Sequence, residues 1–243
     1  MAAAASDRLA VAMDVPLQPG LELYRRVAAH AGIAKVGLSL FVEHGPRAVE
    51  AFRALGAQVF LDLKLHDIPN TVELAAARAA SLGVGLLTVH AQGGEAMLRA
   101  ALAGAADGAA KAGVPPPRIL AVTVLTSLSD ADLQALGYRA SASEVATGLS
   151  DVAARAGVGG VVCSPREAAA LRRRHGAGLF LCTPGIRPAA SDAGDQARAE
   201  TPRFAVEAGA SLLVVGRPIT AAPDPAAAAQ AVASEIAAAL PRV

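Results

Sequence analysis

Residues 58–71 read Gln58-Val59-Phe60-Leu61-Asp62-Leu63-Lys64-Leu65-His66-Asp67-Ile68-Pro69-Asn70-Thr71. The first eight have the apolar, aromatic and β-branched make-up of a strand. Asp62 and Lys64 are two apart, so a strand turns them to one face, while Leu61, Leu63 and Leu65 face the other way, toward covering helices. Ile68-Pro69-Asn70-Thr71 then predicts a turn into a helix, with proline at its first turn and a polar cap. Helical spacing continues over 73–82, which completes one strand–helix unit. Similar apolar runs recur at 9–15, 33–40, 86–91, 119–126, 160–164, 179–183 and 212–216, with Ala-, Leu-, Glu- and Arg-rich segments such as 144–156 between them. Most runs are continuous rather than alternating, as in strands buried on both faces. Eight such runs in 243 residues leave roughly 30 residues per βα unit, which predicts an α/β fold closed as a (β/α)8 TIM barrel, one domain over 1–243. An open doubly wound sheet is the alternative, but no GxGxxG follows the first run.

Two places depart from the rhythm. Pro115-Pro116-Pro117 reads as a stiff connector, and the linkage between the fifth and sixth runs leaves room for a short helix at 130–136. The polar stretch 184–201 is long for a barrel loop and reads as functional. Residues 225–240 read as a closing helix.

Composition narrows the function. Hydrophobic residues make up 53% and charged residues 18%, which argues against a disordered or acidic solvating chain. With 3% aromatic residues and no Trp, a base-stacking platform is not expected. Twenty-two Lys+Arg against 21 Asp+Glu give a net charge of +1, so no global field holds nucleic acid or an anionic membrane, and any anion needs a local site. Cys163 and Cys182 lack CxxC spacing and read as small buried hydrophobes in a reducing compartment. The N-terminus has no basic leader, and no uncharged apolar run reaches the ~18 residues of a membrane span. A cytoplasmic location is expected.

In a barrel of this type the site lies at the C-terminal strand ends. Asp62 and Lys64 belong there, with Asp67 just beyond. Asp14 closes the first run and Lys35 interrupts the second, where an unpaired buried ammonium would be costly. Lys35 near Asp62 and Lys64 near Asp67 would form an alternating charge array in one cavity. A structural ion pair plugging the barrel is the alternative that the spacing leaves open. Gly216-Arg217 ends the eighth run, where such barrels cradle phosphate, and Arg can fork onto that group. His90 reads as a satisfied structural histidine and His66 as solvent-facing. Arg172-Arg173-Arg174 reads as a solvated helix face. No His and carboxylate cluster has metal-ligand spacing, so neither a metal nor an organic cofactor is expected.

Asp62-x-Lys64-x-x-Asp67-Ile68-x-x-Thr71 resembles the DxKxxDIxxT signature of the orotidine 5′-phosphate decarboxylase family. The likeness extends to Ala12-Met13-Asp14, Lys35-Val36-Gly37, Val122–Ser127, Thr183–Pro188, Gly194-Asp195-Gln196 and Val215–Pro218, in family order. The resemblance implies decarboxylation of orotidine 5′-phosphate to UMP and CO2 without a cofactor. It implies Lys64 as proton donor to C6, Asp62 beside the substrate carboxylate, and Lys35 and Asp67 completing the array. It also implies Asp14 and Lys35 at the ribose hydroxyls, Thr126 at the pyrimidine edge, Gln196, Gly216 and Arg217 at the phosphate, and Arg187 in a closing loop. Asp67, Ile68 and Thr71 would reach the partner's site in a homodimer. Rivals are the metal-dependent keto-gulonate phosphate decarboxylase and hexulose phosphate synthase group, and a non-catalytic phosphate sensor on the same barrel.

Overall fold

A computed structural model describes residues 5–188 and 200–240. Eight parallel strands follow one another around a closed barrel: β1 Leu9–Ala12, β2 Ile33–Gly37, β3 Gln58–Leu65, β4 Leu86–His90, β5 Arg118–Val122, β6 Gly160–Val162, β7 Phe180–Thr183 and β8 Leu212–Val215. β1 pairs with both β2 and β8, which closes the ring. The expected TIM barrel is therefore present, with strands somewhat shorter than the apolar runs suggest. Residues just past several strands, such as Asp14 after β1 and Val124–Thr126 after β5, line the mouth.

Strand alternation builds two separate cores. Leu9, Val11, Leu61, Leu87 and Val89 pack outward under the helices. Ala10, Phe60, Leu86, Leu120, Cys182 and Leu212 face inward and fill the lumen. That filling makes the barrel a solid platform beneath its mouth.

The helix after β3 spans Pro69–Ser81, with Pro69 in its first turn as expected. Its N-cap is Ile68, with no side-chain cap bond, so the polar cap expected there is absent. Asp67 instead accepts the Ile68 N–H at 2.6 Å. This helix packs against Gly94–Ala112 with backbone-close contact: a Cβ on Gly104 would collide with the Glu73 carbonyl, and one on Gly108 with that of Ala77. Small residues at this crossing thus seat the segment that follows the signature strand.

The short helix expected near 130–136 is Asp130–Ala135, and both it and Ala142–Ala156 begin with serine capping boxes, at Ser129 and Ser141. The closing helix is Pro225–Ala239, capped by Asp224. The arginine triplet departs from its sequence reading. Arg172 is partly buried and donates to the carbonyls of Gly176, Leu179 and Gly209 and to Ser211 Oγ, pinning the start of β7 to that of β8. Arg174 is exposed and forks onto Asp151 at 2.6 and 2.7 Å. Arg173 and Arg174 thus fit a solvated face, and Arg172 does not.

Candidate active site

The strand ends enclose a cavity of about 330 Å3. Asp14, just past β1, lines one side with Lys35 of β2 and Asp62 and Lys64 of β3. Val122, Val124, Val162 and Cys182 supply an apolar wall. Thr126, Ser127, Arg187, Gly216, Arg217 and Thr220 complete the polar rim. A small, half-apolar pocket with convergent charges suits one small anionic ligand.

Asp62 is the centre of the electrostatics. It is 8% exposed, and Lys64 Nζ lies 2.9 Å from both of its carboxylate oxygens. Lys35 Nζ approaches from the other side at 3.4 Å and lies 3.6 Å from Asp14. The buried Lys35 is therefore paired, as its cost demands. Burial alone would raise the Asp62 pKa, but the Lys35 and Lys64 ammoniums, with hydrogen bonds from Lys64 and Thr88, outweigh it and hold the carboxyl below its usual range. Asp62 therefore stays ionised at neutral pH. The stability it contributes is present above its unfolded pKa and is lost as pH falls through the lowered folded value. Space around the array is tight, since a Cβ on Gly37 would stand 3.1 Å from Asp14 Oδ1 and 3.2 Å from Lys35 Nζ.

The alternation rule places Asp62 and Lys64 on one face, and they do meet. The strand between them is not regular, however. Its register against β4 shifts between Leu61 and Leu65, and Lys64 has φ +49°, the one positive φ outside glycine among the described residues. That conformation costs an L-residue about 1–2 kcal/mol, a strain characteristic of functional positions. Sequence reasoning also missed Thr88, which is fully buried in β4. It accepts the Lys64 N–H and donates to Asp62 Oδ1, both at 2.9 Å. The available signal was a lone hydroxyl inside Leu86-Leu87-Thr88-Val89, easily taken for ordinary β propensity.

The within-chain array is shorter than expected. Asp67, Ile68 and Thr71 are exposed and do not line the cavity, so Asp67 does not join Lys64 in the site of its own chain. Gln196 lies outside the described residues, as do Gly194 and Asp195. The ends of that segment are tied together, with Arg187 N–H donating to Glu200 O at 2.9 Å and Glu200 N–H to Gly185 O at 3.3 Å. His66 is exposed as expected, and its ring lies 5.4 Å from that of His90. His90 departs from the satisfied histidine expected, because its buried Nδ1 has no hydrogen-bond partner among the described residues. Burial, then the neighbouring His66 and Lys64, lowers its pKa, which favours the neutral ring. Cys163 and Cys182 are both buried, in line with their reading, and burial pushes the Cys182 thiol pKa far up. Among the described residues no three His, Cys, Asp or Glu side chains form a metal-ligand group. No helix among them is long and apolar enough to cross a membrane.

A closed (β/α)8 barrel with a buried carboxylate clamped between two lysines at its mouth has the build of a barrel enzyme. Over residues 7–232 the chain matches the model of the Orotidine 5'-phosphate decarboxylase / HUMPS family, and it belongs to that family. It is 52% identical over 230 residues to the orotidine 5'-phosphate decarboxylase of Anaeromyxobacter sp. (strain K), covering 94% of this chain and 98% of that protein. To the orotidine 5'-phosphate decarboxylase of Moorella thermoacetica it is 50% identical over 234 residues, covering 96% and 93%. The crystal structure of orotidine 5'-phosphate decarboxylase from Lactobacillus acidophilus superposes with a TM-score of 0.83 at 39% identity, over 95% of this chain and 99% of that one. By this kinship the chain is a decarboxylase, a carbon–carbon lyase.

Proposed function

We propose that this chain converts orotidine 5′-phosphate to UMP and CO2, the closing step of de novo UMP synthesis, as a cytoplasmic single-barrel enzyme without metal or cofactor. The observation that carries the reading is the Lys35–Asp62–Lys64 array beside an apolar wall at the barrel mouth. In the reaction the C6–carboxylate bond breaks and its electron pair stays on C6, in an in-plane orbital the ring delocalises poorly. Acceleration near the top of the enzymatic range is needed, of the order of 20 kcal/mol. The Lys64 ammonium stabilises that developing charge, then gives its proton to C6, and water restores the proton to the amine. The ionised Asp62 carboxylate stands where the substrate carboxylate would be repelled, a stress that ends as neutral CO2 departs.

Asp14 and Lys35 then hold ribose hydroxyls and Thr126 the pyrimidine edge. Gln196, Gly216 and Arg217 bind the phosphate, with Arg187 in the loop that closes over the ligand. Binding energy gathered at the phosphate, away from C6, aligns the ring for reaction. Asp67, Ile68 and Thr71 act in the site of a second copy in a homodimer. Their exposure supports this, as do the exposed apolar side chains of Leu38, Val42, Ile68 and Leu74, of which Val42 is 82% and Ile68 66% exposed.

Loss of orotidine 5′-phosphate absorbance, followed with and without EDTA, tests the reaction. Turnover unchanged by exhaustive chelation is expected. Activity abolished by EDTA and restored by Mg2+ would favour the metal-dependent branch of the family, and no turnover with tight phosphate binding would favour a sensor.

Arg217→Ala tests the phosphate end. Loss of a charged, forked hydrogen bond predicts a fall in kcat/KM for the 5′-phosphate substrate of roughly 10²- to 10³-fold. Turnover of the bare nucleoside should barely change. Equal damage to both substrates would place Arg217 in support of the fold or the pyrimidine pocket.

A further inference from the structure

β3 and β4 pair regularly up to Leu61 opposite Leu87, and pairing resumes at Leu65 opposite Val89. Residues 62–64 therefore face a single residue of β4, Thr88. The extra length of β3 has to bulge, and Lys64 absorbs it by turning to φ +49°. In that conformation the Lys64 N–H is satisfied by a side chain, Thr88 Oγ1 at 2.9 Å. The Thr88 hydroxyl in turn donates its proton to Asp62 Oδ1 at 2.9 Å. One hydroxyl, with one proton to give and lone pairs to receive, thus serves both members of the Asp62–Lys64 pair at once. Thr88 is itself fully buried and does not line the cavity, so it has no route to a ligand.

We propose that Thr88 is a positioning residue for the decarboxylation: its hydroxyl locks the Lys64 backbone in the left-handed bulge and fixes the Asp62 carboxylate, so that the Lys64 ammonium is aimed at the reacting carbon. The inference rests on the reading of Lys64 as proton donor. Its physical basis is the steep dependence of such a step on placement, where a shift of about 1 Å costs roughly 10²-fold in rate. A valine at this position has nearly the same shape but leaves the part-buried Lys64 N–H without its acceptor and the carboxylate short of one donor.

The test compares Thr88→Val with Thr88→Ser. The valine variant should lose roughly 10- to 10²-fold in kcat, with KM and UMP affinity within about threefold of wild type, because ring and phosphate contacts lie elsewhere. The serine variant should recover to within about threefold of wild type. Exchange of the Lys64 amide, read by NMR, should be protected in wild type and serine and at least about tenfold faster in valine. That exchange is independent of chemistry. If wild-type protein shows no decarboxylation, the functional reading fails while the exchange still decides whether Thr88 holds the bulge. Serine as slow as valine, unchanged kcat in valine, or equal amide protection in all three would overturn the proposal. If valine does not fold, Thr88→Ala against Thr88→Ser carries the same comparison. Should alanine also fail to fold where serine folds, Thr88 is a structural residue and the proposal falls.

Discussion

Lys64→Ala is expected to lower turnover of orotidine 5′-phosphate by roughly 10⁴- to 10⁷-fold while leaving secondary structure and UMP binding measurable. The magnitude combines two losses at one atom. Removing a positioned general acid costs about 10²- to 10⁴-fold, and removing a preorganised charge from a water-poor site costs about 10²- to 10³-fold again. Folding should survive, because Asp62 retains Lys35 at 3.4 Å and the Thr88 hydroxyl at 2.9 Å. The left-handed backbone at position 64 is no worse for alanine than for lysine, since both carry a Cβ. Circular dichroism and UMP titration separate this outcome from simple unfolding. A loss of only about tenfold would mean that another group protonates C6, and the central assignment would fail.

Much of this site can be read from residues 58–71 because two independent periodicities agree there. Alternation in β3 sends Leu61 into the outer core and Asp62 into the cavity, and the Pro69 signal starts the following helix. The eight apolar runs place every strand, since parallel strands covered by helices stay apolar along their length. The bulge at Lys64 escapes such reading. Alternation counts residues along one strand, whereas the register shift exists only between two strands, and Thr88 acquires its role only through that shift. The same holds for Arg172: adjacency to two other arginines suggests solvent, yet its partners, Leu179, Gly209 and Ser211, come from segments brought beneath the barrel by closure. Asp67 shows the opposite case. Its spacing from Lys64 suggests a shared cavity, but the strand ends at Leu65 and the chain turns outward, leaving the carboxylate at the Ile68 N–H.

That outward turn leads to the second large effect, restoration of activity by mixing two inactive variants. If Asp67 acts across a two-fold interface, Lys64→Ala and Asp67→Ala homodimers should each be severely impaired. In a mixed dimer the barrel of the Asp67→Ala chain keeps its own Lys64 and receives Asp67 from the other chain, so that site is wild type. The other site lacks both groups. Random re-assortment makes about half of the dimers mixed, each with one good site of two, so roughly a quarter of wild-type activity should return. Subunit exchange has to be demonstrated by a tagged pull-down on the same mixture. With exchange proven and activity no higher than the separate variants, Asp67 would serve its own chain or none. The exposed apolar residues proposed for that interface permit an independent check: if they form it, Val42→Glu should leave the barrel folded but shift the protein toward monomer, and an Asp67-dependent site should fade with it.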